Sequence, residues 1–334
     1  ARRNPLMKVG LALWPDRDVR ALAELCRTAE RAGFDELWWP DHYDARECSA
    51  VLAACALNSD RITLGTAVTS PLLRHPAVLA SMFATLSEVS GGRIVAGLGP
   101  GGFEVATELR VTTPSPLGAM RESVEVLRAL MSGQTISLDR GRFFPVVGAK
   151  LSLRRASVPV YLAGRGPRMI ELAGEIADGV ITHGLAAPYL QMVGERVRRG
   201  ARRAGRDPGD CIVSLMFEVA VDRDVDRARD ALRPRCLYMV GGEYAQELVP
   251  LYGLDPGAVA PVRDAVRARD PNAAKLIDDG MVDAFSVVGS PDRIAEKLAE
   301  LGEAGVESVI LSPGLGVDHS TITTLGEATR GALT

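Results

Sequence analysis

The chain alternates short apolar runs with amphipathic segments along its whole length. Eight such pairs can be counted. The apolar runs have the length of strands, and the segments between them place apolar side chains three and four residues apart, as in Leu22, Leu25 and Ala29. This alternation is typical of βα units around a parallel sheet. Because the composition does not change along the 334 residues, we expect a single α/β domain over 1–334, a closed (β/α)8 TIM barrel with insertions.

The strands of this barrel can be placed from their apolar runs. They are expected at 8–13, 36–39, 62–68, 94–97, 160–163, 179–182, 212–219 and 308–311. Residues 134–153 predict a hairpin between units four and five, and residues 233–285 predict a helical insertion between units seven and eight. In such barrels the chemistry lies on the loops that follow the strands, so candidate residues are expected there.

The composition limits the partners of the chain. A formal net charge of −3 gives no reason to expect nucleic acid or an anionic membrane, and a small-molecule substrate is favoured. There is no apolar run of about 18 residues and no charged leader before Met7, which predicts a soluble, cytoplasmic protein. The five cysteines lack the spacing of metal ligands, so no metal site is expected.

The fourth predicted strand ends in a glycine loop, GLGPGG at 97–102. Glycine lets backbone N–H groups approach a ligand and accepts positive φ, so the loop suits a flat or anionic ligand. The letters also fit the dinucleotide fingerprint G-x-G-x-x-G, but that motif opens a helix directly and is followed by an acidic residue about 20 positions later. Here Pro100 interrupts the loop and 117–131 predicts a helix, so a Rossmann site is not expected.

All four histidines follow predicted strand ends and would therefore share one face of the barrel: His42, His75, His183 and His319. His75 precedes Pro76 at a helix start, and His319 can open the last helix, which are structural roles. His42 follows a buried strand directly and has Asp41 beside it. It is the candidate for ligand contact or proton transfer.

Five segments, in order along the chain, resemble the bacterial luciferase-like superfamily. They are WPDHY at 39–43, LGTAVTSP at 64–71 with RHP at 74–76, the glycine loop, LAGRGP at 162–167 and DAFSVVGSPD at 283–292. Within the superfamily the chain is most similar to the branch that uses coenzyme F420, an 8-hydroxy-5-deazaflavin, and there to the methylenetetrahydromethanopterin reductases. The resemblance covers nearly the whole chain. It implies the same barrel, and a homodimer that pairs through helices on its outside.

The resemblance also implies which residues hold the cofactor. Ala67 and Val68 match the pair that forms a non-proline cis peptide behind the central ring in deazaflavin-binding relatives. The implied cofactor contacts are Asp41, Thr66, Ala67, Val68, Gly99, Pro100, Gly101, Gly102, Ala163, Gly164, Arg165, Gly166 and Thr182, the last four on the phosphate side. A plain βα turn would use residues similar to 164–166, so this part of the set has a structural alternative.

The chain departs from its relatives at the acidic residues of the substrate pocket. The methanogenic reductases have a glutamate where this chain has Ala12, and an acidic and then a basic residue where it has Gly102 and Phe103. Sugar-phosphate dehydrogenases of the superfamily have a glutamate at the position of Gly102. Ala12, Trp14 and Phe103 therefore predict a more apolar pocket, and neither of those two activities is expected.

The function implied by the resemblance is hydride transfer from reduced deazaflavin to a C=C or C=N bond of a small organic substrate, such as a specialised-metabolite intermediate. His42, oriented by Asp41, is the candidate proton donor, with Glu104 and Glu108 as alternatives. Two other hypotheses stay open. One is an FMN-dependent monooxygenase on the same barrel, and the other is a cofactor-binding paralogue that has lost catalysis.

Overall fold

A closed parallel barrel organises the computed structural model, which describes residues 7–101, 108–242 and 245–333. Its eight strands are β1 (Lys8–Ala12), β2 (Glu36–Trp39), β3 (Thr63–Thr66), β4 (Ile94–Leu98), β7 (Val160–Ala163), β8 (Gly179–His183), β9 (Ile212–Val221) and β11 (Ser308–Ser312). Each strand pairs in parallel with the next, and β1 also pairs with β11, Lys8 opposite Ser308. The closed (β/α)8 barrel expected from the alternating pattern is confirmed.

Helices surround the barrel and connect its strands. In chain order they are α1 (Val19–Ala32), α2 (Cys48–Leu57), α3 (Pro76–Val89), α4 (Pro116–Met131), α5 (Pro167–Ile176), α6 (Ala187–Arg203), α7 (Val225–Gly241), α8 (Pro256–Ala268), α9 (Asp279–Asp283), α10 (Pro291–Glu303) and α11 (His319–Leu333). Several begin with a side-chain cap followed by proline: Ser115 caps α4 and Ser290 caps α10. None of the described helices is both long and apolar enough to cross a membrane.

Two segments lie outside the barrel. β5 (Ile136–Leu138) and β6 (Val146–Ala149) pair antiparallel. Between β9 and β11 the chain forms α7 to α10 and a ninth strand of the sheet, β10 (Ser286–Gly289), which pairs with the outer end of β9. The expected start of the insertion at 233 falls inside α7. Pro234 does not end that helix, because Leu232 and Cys236 on either side of it are buried against the core.

Trp38 fills the centre of the barrel. Its side chain is fully buried, and its Nε1 donates a hydrogen bond to Glu36 Oε2 at 3.0 Å. A Cβ at Gly65 would lie 2.4 Å from the indole, and one at Gly10 would lie 3.0 Å from it. The neighbouring strands therefore carry glycine at these positions, and the floor beneath the carboxyl ends of the strands is solid.

Candidate functional site

The carboxyl ends of β3, β4 and β7 form a shallow apolar surface, the glycine shelf, made of Ala67, Val68, Gly97, Gly99 and Ala163. Ala67, Val68 and Ala163 pack against the side chains inside the barrel. A Cβ at Gly97 would lie 1.8 Å from the Thr66 carbonyl oxygen, and one at Gly99 would lie 2.7 Å from Val68 Cγ2. Neither position accepts a side chain without movement of its neighbours, so the shelf keeps its shape only with glycine there.

The shelf is held by hydrogen bonds between β3 and β4. Thr69 N–H donates to the Gly97 carbonyl and Gly99 N–H donates to the Thr69 carbonyl, both at 3.0 Å. The Thr66 hydroxyl is buried and bonds both backbone groups of Gly97, at 2.7 and 3.0 Å. Thr66 was expected to contact the cofactor, but its side chain joins the two strands instead, because it points out of the barrel. The peptide between Ala67 and Val68 is cis, as the resemblance implies.

Asp41 and His42 leave β2 in different directions. The Asp41 carboxylate accepts hydrogen bonds from the Thr69 hydroxyl at 2.6 Å and from Arg74 at 3.0 and 3.2 Å. His42 Nδ1 lies 2.5 Å from Asp44 Oδ1. The expectation that Asp41 orients His42 is therefore wrong. Asp41 fastens the loop after β3, and Asp44 is the carboxylate that meets the imidazole.

Two aromatic rings lie beside His42. The ring centroids of Trp14 and His42 are 5.5 Å apart, and those of His42 and Tyr43 are 5.1 Å apart. The Tyr43 hydroxyl donates to Glu108, one of the alternative proton donors. Trp14, expected in the substrate pocket, thus lies beside the candidate proton donor.

The phosphate-side residues are mostly engaged within the protein. Arg165 donates to the carbonyls of Met239 at 2.6 Å and Tyr238 at 3.2 Å, at the end of α7. The Thr182 hydroxyl is buried and lies 2.5 Å from the Tyr189 hydroxyl. These two side chains were expected to meet phosphate, but each already has partners, since the insertion and α6 pack onto the loop. The N-terminus of α5 follows this loop and has no side-chain cap.

Other residues expected at the cofactor or the substrate pocket lie around the same mouth where the structure describes them. Ala12 packs against the barrel interior, and Gly164 N–H donates to the Ile181 carbonyl at 3.0 Å. Gly166 is the N-cap of α5, and Gly101 has φ of +100° directly after Pro100. Gly102, Phe103 and Glu104 lie outside the described residues.

The opposite half of the mouth is polar, and the sequence patterns missed it. The inward-facing residues at the ends of β8, β9 and β11 are His183, Glu218 and Ser312. Arg235 of α7 reaches over them, donating to Glu218 through Nε and to Ser312 Oγ through Nη2 at 2.8 Å. Glu218 is 5% exposed, so this is a largely buried ion pair. Ile181 and Met216 point into the barrel. Because side chains two positions apart on a strand share a face, His183 and Glu218 could have been predicted to point inward as well.

The electrostatics of this half favour a neutral imidazole. Burial lowers the pKa of His183 to about 3, and the positive charges of Arg165 and Arg235 act in the same direction. Its side chain has no hydrogen-bond partner among the described residues. The other two histidines make contacts at helices. His75 Nδ1 accepts a hydrogen bond from Ala77 N–H at 3.2 Å, and His319 Nδ1 lies 2.7 Å from the Thr28 hydroxyl.

The fold and its mouth define a protein of the (β/α)8-barrel class, with its candidate ligand-binding residues at the carboxyl ends of the strands. A sequence profile of the luciferase-like monooxygenase family matches residues 6–308, and the chain belongs to this family. The membership expected from the five sequence segments is thereby confirmed.

Proteins similar to this chain include some that are named as coenzyme F420-dependent. The chain is 35% identical over 317 residues to 5,10-methylenetetrahydromethanopterin reductase of Archaeoglobus fulgidus, covering 93% of this chain and 95% of that protein. It is 33% identical over 227 residues to F420-dependent glucose-6-phosphate dehydrogenase of Nakamurella multipartita, covering 64% and 67%. The coenzyme F420-dependent tetrahydromethanopterin reductase structure from Methanopyrus kandleri matches with a TM-score of 0.87 and 28% identity, covering 98% of this chain and 99% of that one.

Proposed function

We propose that this chain is a coenzyme F420-dependent reductase acting on an electron-poor C=C or C=N bond of a small organic substrate, such as an intermediate of specialised metabolism. The glycine shelf carries the proposal. A flat tricyclic ring needs a flat surface behind it, and side chains at Gly97 and Gly99 would displace Thr66 and Val68 and so disrupt the shelf. Relatives that span most of this chain use the same cofactor by name.

The residues around the mouth fit such a group. When bound, reduced F420 supplies a hydride. The shelf would hold the ring, and the uncapped N-terminus of α5 would receive the phosphate. His42, held by Asp44 at 2.5 Å, would give a proton to the substrate atom next to the one that receives the hydride, which completes reduction of the double bond.

The pocket itself favours an apolar substrate body. Ala12 and Trp14 border the mouth where the sequence shows no acidic residue, and they exclude water from the reacting atoms. The polar half of the mouth, with neutral His183 and the Glu218–Arg235 pair, is available to hydrogen-bond the heteroatoms of the same substrate.

The first test is cofactor binding. Purified protein is titrated separately with reduced F420, oxidised F420 and FMN while cofactor fluorescence is followed. We expect micromolar or tighter binding of the deazaflavin alone. Gly99→Val should abolish it, because the Cβ of the new side chain would lie 2.7 Å from Val68 Cγ2 and displace the shelf, whereas Gly302→Val in α10, where no atom lies within 4 Å of the Cβ, should bind as the wild type does.

The two alternative hypotheses, an FMN-dependent monooxygenase and a paralogue without catalysis, predict different outcomes of this titration and of the activity assays that follow it. Preference for FMN, followed by oxygen-dependent turnover, would replace the reductase with a monooxygenase. F420 binding without turnover of any unsaturated or imine compound would indicate a paralogue that has lost catalysis.

By resemblance we also expect a homodimer formed through helices on the outside of the barrel. Light scattering would measure the mass of the particle in solution.

A further inference from the structure

An arginine-lined groove runs along the outside of the barrel between α4, α5 and α6, with a volume of about 400 Å³. We call it the arginine groove. Its guanidinium groups belong to Arg121, Arg168, Arg196, Arg199 and Arg203. Two carboxylates, Glu171 and Glu175, also line it, so three positive charges are in excess.

The groove is centred on Glu171, which is nearly buried. Its carboxylate lies 3.1 Å from Arg196 Nη1, 3.3 Å from Arg199 Nε and 3.0 Å from Arg203 Nη1. Burial opposes ionisation of Glu171, but the hydrogen bonds from Arg196 and Arg203 hold its pKa below the usual value, and it stays ionised. One carboxylate therefore fixes three guanidinium groups in place, and most of their N–H donors remain free for a ligand.

The remaining arginines extend this array. Arg121 pairs with Glu175 at 2.7 Å. Arg168 makes no hydrogen bond or ion pair within the described part of the chain, and its side chain is exposed. Arg168, Glu171 and Glu175 share one face of α5, at spacings of three and seven residues, so the charges form a line and not a cluster.

The line begins at the mouth of the barrel. Arg168 is the second residue of α5, directly after the loop that ends in Gly166. The start of α6 also lies there, since the Tyr189 hydroxyl donates to the Arg165 carbonyl at 3.1 Å, and the far end of α6 carries Arg203. The ten residues of α5 span about 15 Å, so the groove leads from the expected phosphate position down the outer face of the barrel.

We propose that the arginine groove binds the oligoglutamate tail of the deazaflavin cofactor, an inference that rests on the function proposed above. Coenzyme F420 ends in a chain of γ-linked glutamates attached through its phosphate. A molecule whose ring lies on the glycine shelf and whose phosphate meets the start of α5 projects this tail towards Arg168. Each added glutamate places a carboxylate beside a further guanidinium, an arrangement that favours charge-assisted hydrogen bonds.

The test compares cofactor forms that differ only in the tail. Dissociation constants are measured by fluorescence for F420 with two to eight glutamates and for the tail-less form that keeps the phosphate but carries no glutamate, at low and physiological salt. We expect affinity to rise with tail length and the gain to shrink as salt is added. Arg168→Ala combined with Arg199→Ala should weaken binding of the longest form about threefold to tenfold and leave the tail-less form unchanged.

Arg202→Ala is the matched control, because Arg202 is also exposed on α6 but does not line the groove. Ring binding that is independent of tail length, or an equal loss of affinity in Arg202→Ala, would overturn the inference and leave the proposed function standing. If no F420 form binds, the proposed function fails, and anisotropy of fluorescein-labelled tetra-γ-glutamate then tests the groove directly. Loss of that signal in the double variant would support the groove, and no signal with wild-type protein would refute it.

Discussion

Contacts of single carboxylates decide how the mouth is built. Asp41 and Asp44 are three positions apart, yet Asp41 binds Arg74 and Thr69, whereas Asp44 binds His42. A residue that orients a proton donor is defined by contact in space and not by adjacency in sequence. The role expected for Asp41 therefore passes to Asp44, and the two carboxylates should differ in what they do to catalysis.

Substitution of His42 tests the proton-transfer role. His42→Ala should lower kcat about a hundredfold or more with F420 affinity unchanged, because a general acid accelerates by this order. Asp44→Asn should lower kcat less and change its pH profile, since it alters only the partner of the imidazole. The measurement uses a substrate found by screening unsaturated and imine compounds. Steady-state kinetics give kcat, and the solvent isotope effect reports on the proton transfer. Wild-type turnover by His42→Ala would reject the role.

At the scale of elements, Arg235 fastens the insertion to the barrel. It is the side chain through which α7 contacts Glu218 of β9 and Ser312 of β11. Because Glu218 is nearly buried, removal of its cation leaves a carboxylate without its charge partner in a poorly solvated place, which is the costly way to break such a pair.

We therefore expect Arg235→Met to lower the free energy of unfolding by about 2 to 4 kcal/mol, measured by urea denaturation. Adding Glu218→Gln should recover part of the loss, because the uncompensated charge is then gone. Arg227→Met on the same helix removes an exposed pair with Asp222 and should lower the free energy of unfolding much less. Equal losses in both single variants would contradict the argument.

Elements were predictable where the pattern repeats, and less so where tertiary contacts decide. The eight barrel strands follow from apolar runs, because a strand covered on both sides must be apolar. β10 was not predicted, because it directly follows the insertion and its place in the sheet depends on its pairing with β9. The start of the insertion was placed at 233, inside α7, because packing keeps that helix intact through Pro234.

The site divides in the same way. Glycines 97 and 99 were visible because their absence of side chains is itself the signal. The partners of Arg165 and Thr182 within the protein were not predictable, because Tyr238, Met239 and Tyr189 belong to other elements. The Glu218–Arg235 pair joins residues from different elements, so only the folded chain reveals it.

For the whole molecule, the closed end of the barrel carries an acid that opposes folding at neutral pH. Burial raises the pKa of Glu36, and Lys8 at 4.0 Å and the Trp38 indole only partly offset this. The folded state therefore prefers the protonated acid. The stabilisation from Glu36 is present below the ordinary glutamate pKa and is lost as the pH rises through the raised one.

Glu36→Gln should accordingly stabilise the protein at pH 7 by an amount on the order of 1 kcal/mol, because the amide still accepts from Trp38 and carries no charge. The gain should shrink as the pH falls below the ordinary glutamate pKa. Thermal or urea unfolding across pH 4 to 8 measures it, with Glu303→Gln on the exposed face of α10 as control. A variant less stable than the wild type at pH 7 would contradict the prediction.

The pairing of β10 with β9 has a consequence for how such a protein can diversify. The chain enters the insertion after Val221 and leaves it after Gly289, and these two residues lie opposite each other on adjacent strands. The segment between these two residues can be replaced as a unit, because its two ends lie side by side at the rim of the barrel. Replacement of this segment would change the part of the mouth that carries Arg235, while the barrel strands and the glycine shelf stay as they are.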